Sequence, residues 1–336
     1  MRRHARIIAA AIVLGAPMGA TARQQDPAKA QSVLAEGRAA IGGKKLDSLR
    51  SLGLEATVQR NMGNIQLSSD VELLLDLPDK YVRSETTSGP IGGGSTTGFN
   101  GEKPLQKFNT GGGGMGGMVI RMGGPGGAVT TTPGQKLSPE EQQKVDRAMV
   151  RAARVDLSRL MLGWFAMTHP QVPAEYSYAG EAESPDGKAY VIDAMDADGF
   201  AARLFIDEQT HLPLMVTYRA PQPRIVTAGG PGRAGGGGPQ IATAGGARPA
   251  APPTPPTEEE RRKMREEADR QLQELQKQPP AMADYTLYFE DWQDGDGIKF
   301  PRKIRRAMAG TTSEEWTVTK VKVNPTIDPK KFAVEG

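Results

Sequence analysis

IQLSSDVELLLDL, running from Ile65 to Leu77, is the stretch on which the fold turns. Ile65, Leu67, Val71, Leu73, Leu75 and Leu77 all fall on odd positions, and successive strand side chains point to opposite faces, so these share one face. Upstream, Leu54, Ala56 and Val58 alternate with Glu55, Thr57 and Gln59, and Met62-Gly63-Asn64 reads as the turn between two antiparallel strands. Tyr81 to Thr86 continues as a third strand after the Pro78-Asp79 turn. The chain therefore begins its folded part as a β-meander with one face in water and the other on a core or a cavity.

The same grammar recurs further on. Tyr176–Ala182, Ala189–Ala194, Ala201–Asp207 and Leu214–Tyr218 are separated by turns at Pro185-Asp186-Gly187, Asp196 to Gly199 and Thr210 to Pro213. Strands resume at Tyr285–Asp291, Ile298–Met308 and Glu315–Val323. Asp26-Pro27 opens a helix that closes at Gly42-Gly43, with Pro in the first turn and Gly at the end. Ser138-Pro139-Glu140-Glu141 forms a capping box for a second helix, with Met161, Trp164 and Phe165 on its apolar side and Lys144, Arg147, Arg151, Arg154 and Arg159 on its polar side. About ten strands, two core helices and one peripheral helix make a mainly β (α+β) fold built on a curved antiparallel sheet.

Two low-complexity stretches interrupt it. Ser88 to Gly134 is glycine-rich, broken by strand-like Gly98–Gly101 and Pro104–Phe108; residues 220–280 combine a Gly/Pro/Ala linker with a charged helix, Thr257 to Gln278. Gly111, Gly113 and Gly116 satisfy G-x-G-x-x-G, but no helix can open after Met118-Val119-Ile120, so the nucleotide reading fails and a flexible inserted loop is expected.

Residues 1–22 carry Arg2, Arg3 and Arg6, a short apolar run and Ala20-Thr21-Ala22, the pattern of a cleaved secretory signal. Its removal after Ala22 takes the formal net charge from +3 to neutral, which leaves no basis for a nucleic-acid partner. The chain has no cysteine, which excludes disulfides, thiol chemistry and a lipid-modified Cys. No second apolar span exists in residues 23–336, which are expected to form a single periplasmic domain without a transmembrane segment.

Several short segments resemble the LolA/LolB-like lipoprotein carriers and their outer-membrane lipoprotein-sorting relatives: Ala39-Ala40-Ile41-Gly42-Gly43, Pro78 to Arg83, Leu204-Phe205-Ile206-Asp207 with Thr210-His211-Leu212-Pro213, Asp296 to Pro301, and Val321 to Pro325 with Phe332. That resemblance implies an unclosed antiparallel β-barrel, a half-barrel with helices as a lid, and a non-enzymatic role holding lipid or lipoprotein acyl chains. Leu67, Val71, Leu73, Leu75, Leu77, Met161, Trp164 and Phe165 are the expected apolar cavity lining, against the commoner fate of such stripes as filled core. Arg147, Arg151 and Arg154 are candidates to tether the lid, against the default of solvated charge. An envelope protein-interaction or lipid-sensing module of the same fold, with other envelope proteins as partners, is the alternative. No cofactor or metal is expected. His169 and His211 lack triad or ligand spacing, and the acidic turns at Asp196 and Asp294 lack the Glu that a calcium loop needs.

Overall fold

The computed structural model describes residues 26–62, 65–88, 93–110, 138–185, 187–222 and 281–333, with 257–259, 262, 263, 266 and 270. The expected leader, residues 111–137 of the expected glycine-rich insertion and most of the expected linker and charged helix lie outside the described residues; Lys263 pairs with Glu259 at 3.0 Å.

Among the described residues twelve strands form one sheet: β1 (Ser51–Met62), β2 (Ile65–Asp76), β3 (Lys80–Thr87), β4 (Gly93–Asn100), β5 (Lys103–Thr110), β6 (Glu175–Ser184), β7 (Gly187–Met195), β8 (Ala201–Asp207), β9 (Pro213–Pro221), β10 (Met282–Gly295), β11 (Ile298–Met308) and β12 (Thr311–Val323). Their spatial order is β5-β4-β3-β2-β1-β12-β11-β10-β9-β8-β7-β6, every pairing antiparallel. Only β1 with β12 joins strands distant in sequence; the remaining neighbours are successive in the chain. The sheet does not close, since β5 and β6 remain its two edges, so the fold is an unclosed half-barrel with helices over its inner face.

The expected hairpin holds in full register, Leu54 opposite Leu73 and Leu52 opposite Leu75. The count of about ten strands is corrected to twelve, because β4 and β5 are complete strands and the segments 98–101 and 104–108 were only their readable parts. β4 (GGSTTGFN) has no apolar alternation; its place comes from backbone ladders to β3 and β5. At Gly98, φ is +156° and a Cβ would stand 2.0 Å from the Tyr81 carbonyl oxygen, so the strand passes its neighbour where only glycine fits.

Helix α1 (Pro27–Ile41) starts with Asp26 accepting from the Lys29 amide at 2.8 Å and buries Ala30, Val33, Leu34 and Ile41. A single turn, α2 (Lys44–Asp47), follows. Helix α3 (Pro139–Phe165) begins with the expected capping box, the Glu141 amide donating to Ser138 Oγ at 3.3 Å and the Ser138 amide to Glu141 Oε2 at 2.9 Å. Its C-terminal half supplies Leu157, Leu160, Met161, Leu162, Trp164 and Phe165 to the same core as the inner-face residues of β1, β2 and β7 to β12. That helix comes so close to β10 that a Cβ on Gly163 would lie 1.9 Å from Phe289 Cζ.

Candidate functional site

The inner face of the half-barrel is divided along its strands. At one end Leu52, Leu54, Val71, Leu73, Leu75 and Phe300 meet the end of α3, where Trp164 and Phe300 stand 5.2 Å apart and Phe165 and Phe300 6.0 Å apart. Of the residues expected to line a cavity, Val71, Leu73, Leu75, Met161, Trp164 and Phe165 are all buried in this packed cluster. Leu77 packs on its margin, and Leu67 is half-buried further along β2. All but Leu67 are thus brought into one packed cluster with the α3 aromatics.

A cleft of about 480 Å³ opens elsewhere, between α1, α2 and the segment after α3, lined by Leu34, Arg38, Lys44, Asp47, Met167 and Tyr176 among others. None of the eight expected lining residues borders it. Arg38 spans it, with Nη2 2.6 Å from Asp47 Oδ1 and Nη1 3.4 Å from Met167 Sδ.

The other end of the inner face is charged. Each strand keeps its phase, and where the apolar residues run out the next inward positions are Arg60 on β1, Ser69 on β2, Arg83 and Glu85 on β3, Arg306 on β11 and Glu314 on β12. Arg60 and Arg306 flank Glu314 in register. Glu314, only 7 % exposed, lies 3.3 Å from both Arg60 and Arg83, and accepts from the Trp316 indole at 2.5 Å. Arg60 also binds Glu85, and Arg83 reaches Glu85 at 3.2 Å while its guanidinium stacks 4.5 Å from the centre of Trp316. Burial pushes the Glu314 carboxyl up, but Arg306, Arg83 and Arg60 together with the indole outweigh it and hold the group at about 2. Glu85 is also lowered, burial opposing and the Arg60 hydrogen bond and Arg83 prevailing.

Helix α3 completes this cluster from above. Arg159, 6 % exposed, bonds Asp156 at 2.7 Å and places its guanidinium 4.1 Å from the centre of the Tyr218 ring, which is itself stacked on Tyr285. Burial raises the Asp156 carboxyl against the pull of Arg159 and Arg306. Arg154 and Arg159, both on the polar side of the helix, are buried rather than solvated.

The three candidate tethers separate. Arg151 pairs with Asp196 in the β7–β8 turn, on the side of the β6 edge. Arg154, one turn on, donates to the Gly101 carbonyl at 3.1 Å and to Glu102 at 2.9 Å in the β4–β5 turn, with its guanidinium 5.1 Å from the Phe99 ring centre. Among the described residues, Arg147 hydrogen-bonds to Gln143 of its own helix. Two arginines on adjacent turns thus join α3 to turns near opposite edges of the open sheet.

The histidines behave as structural groups. His169 is fully buried, accepts from the Gln171 amide at 3.2 Å on Nδ1, and is lowered to about 4 by burial and by Arg154. His211 occupies the β8–β9 turn at φ +55°, with Nδ1 3.4 Å from Glu36. The Asp196 carboxylate accepts from the amides of Asp198 and Phe200 as well as from Arg151, and Asp294 accepts from the Gly297 amide, so both acidic turns use their carboxylates to close hairpins.

No protein-family model matches the chain, and no curated protein matches it in sequence. Solved structures similar to it include a LolA superfamily protein from Nitrosomonas europaea, at 10% identity and a TM-score of 0.44, covering 91% of this chain and 98% of that one. A DUF1329 family protein from Desulfovibrio piger follows at 10% identity and a TM-score of 0.41, covering 92% and 98%. A putative outer membrane lipoprotein-sorting protein domain from Vibrio parahaemolyticus has 9% identity and a TM-score of 0.39, covering 91% and 97%. Among the described residues, no helix is long and apolar enough to cross a membrane.

Proposed function

We propose that this chain is a non-enzymatic periplasmic carrier or binding protein that holds the acyl chain of a lipid or lipidated protein inside its half-barrel. The observation that supports this reading is the way the interior is filled: the apolar inner face of an open sheet is covered by helices rather than by a second sheet, with the end of α3 setting Trp164 and Phe165 against it. Two such rings bury on the order of 400 Å², worth about 10 kcal/mol at about 25 cal/mol per Å². An acyl chain returns about 0.8 kcal/mol per CH₂, so about twelve methylenes match the rings they displace. Leu67, Val71, Leu73, Leu75, Leu77 and Met161 are then the surface the chain would meet, and Arg151 and Arg154 the contacts that return α3 to its closed position.

Native mass spectrometry of the protein purified from periplasm tests the reading. Co-purified acyl lipid, or saturable uptake of a fluorescent fatty acid by the delipidated protein, is the expected result; a ligand-free protein that takes up no acyl probe would refute it.

A further inference from the structure

We propose that the charged end of the inner face is a subsite for an anionic head group, a phosphate or carboxylate, so that the cargo is an anionic amphiphile lying with its head at Arg159, Arg306 and Tyr218 and its tail toward Trp164. The proposal rests on the carrier reading and adds to it the chemistry of the ligand.

Three observations carry it. Charge comes first: Arg60, Arg83, Arg159 and Arg306 face Glu85, Glu314 and Asp156, four guanidinium groups against three carboxylates, and buried charge left uncompensated is unfavourable. Asp156, raised by burial, is the acid least able to compensate. The second is hydrogen bonding. Among the described residues, Arg159 Nε, Arg306 Nε and the Tyr218 hydroxyl are buried without a hydrogen-bond partner, with Arg159 only 6 % and Tyr218 5 % exposed. Buried donors of this kind are ordinarily satisfied, and three donors in one neighbourhood call for an acceptor. Third is placement. Arg159 lies on the Tyr218 ring, Arg306 acts electrostatically on both Tyr218 and Tyr285, and Leu287 beside Arg306 in the ladder belongs to the apolar core, so polar and apolar ends are continuous on one face. Arginine is suited to this task, because its planar fork binds phosphate or carboxylate oxygens in pairs.

The test compares ligands with one tail and different heads. Binding of hexadecyl phosphate, palmitate and the uncharged monopalmitoylglycerol to the delipidated mature protein is measured by displacement of a fluorescent acyl probe, with inorganic phosphate added separately as a competitor. The expected result is a preference of at least tenfold for the two anions over monopalmitoylglycerol. In Tyr218→Phe and Arg159→Gln, whose folding is checked by circular dichroism and melting temperature, that ratio should fall severalfold. Competition by millimolar inorganic phosphate against hexadecyl phosphate would further support recognition of the head itself. Equal binding of charged and uncharged amphiphiles by the wild type, or a ratio unmoved in folded Tyr218→Phe, would overturn the subsite while leaving the carrier reading intact. If no amphiphile binds, the carrier reading falls and the subsite with it.

Discussion

At Gly163 α3 approaches β10 closely enough that only a residue without a side chain fits. A Cβ there would overlap the Phe289 ring, so Gly163→Ala must move either the ring or the helix. Over-packing of this kind costs about 2 kcal/mol, and denaturant unfolding should show a loss of that order, accompanied by greater binding of an apolar dye as α3 lifts from the sheet. Glu314 makes a second residue-scale prediction. Its carboxyl lies at about 2 in the fold against an ordinary 4.5, so its contribution to stability is complete above about pH 5 and disappears as pH falls through 4.5 toward 2. The shift corresponds to something on the order of 3 kcal/mol at neutral pH. Asp156, raised instead, works in the opposite sense and softens the slope. Glu314→Gln should be clearly destabilised at pH 7, where three arginines lose their partner, and the gap to wild type should narrow below pH 3; a gap independent of pH would show that the carboxylate charge is not the stabilising element. Neither Gly163 nor Glu314 stands out in the sequence. The glycine sits inside a helical pattern with nothing to mark what it approaches, and Glu314 reads as an ordinary polar strand residue until the alternation that puts Trp316 and Val318 inside is extended two positions back.

At the scale of the elements, α3 is a lid only if it is held at both sides of the open sheet. Arg151→Ala and Arg154→Ala each remove one of its two cross-sheet contacts, and hydrogen exchange along α3 should rise severalfold in either variant. Arg147→Ala, which breaks a contact only within the helix, should leave exchange unchanged. Arg154 should have the larger effect, since it combines a backbone carbonyl, a carboxylate and the Phe99 ring at a buried position, whereas Arg151 is more exposed. The elements themselves were largely legible. The Ile65–Leu77 alternation, the Asp-Gly and Pro-Asp turns, and the Ser138–Glu141 capping box are local signals, and each appears where the residues place it. β4 was hard to see because GGSTTGFN has no apolar face and depends on ladders to its neighbours, a tertiary effect that no local pattern reports. The same limit hid the charged cluster: Arg60, Arg83, Arg306 and Glu314 are scattered over four strands, and it takes the β2–β3 and β1–β2 registers as well as β1–β12 and β11–β12 to bring them together. Extending each strand's apolar phase past its last hydrophobic residue would have placed all four on the inner face.

At the scale of the whole molecule, α1 and α3 cover the inner face of an open twelve-stranded sheet, and the aromatic end of α3 is the proposed stand-in for an acyl chain. Hollow and filled small barrels differ little in pattern, which is why the stripe of leucines on β2 did not by itself distinguish a cavity from a core. Enlarging the interior offers one check: Trp164→Ala removes the largest ring from the plug, and should cost about 4 kcal/mol of stability while raising affinity for a long-chain fatty acid. The most direct test of the central claim is hydrogen–deuterium exchange of the mature protein with and without saturating palmitate. Displacement of the plug predicts faster exchange at residues 162–166 and slower exchange in β1 and β2 on binding; palmitate bound with exchange at 162–166 unchanged would contradict it.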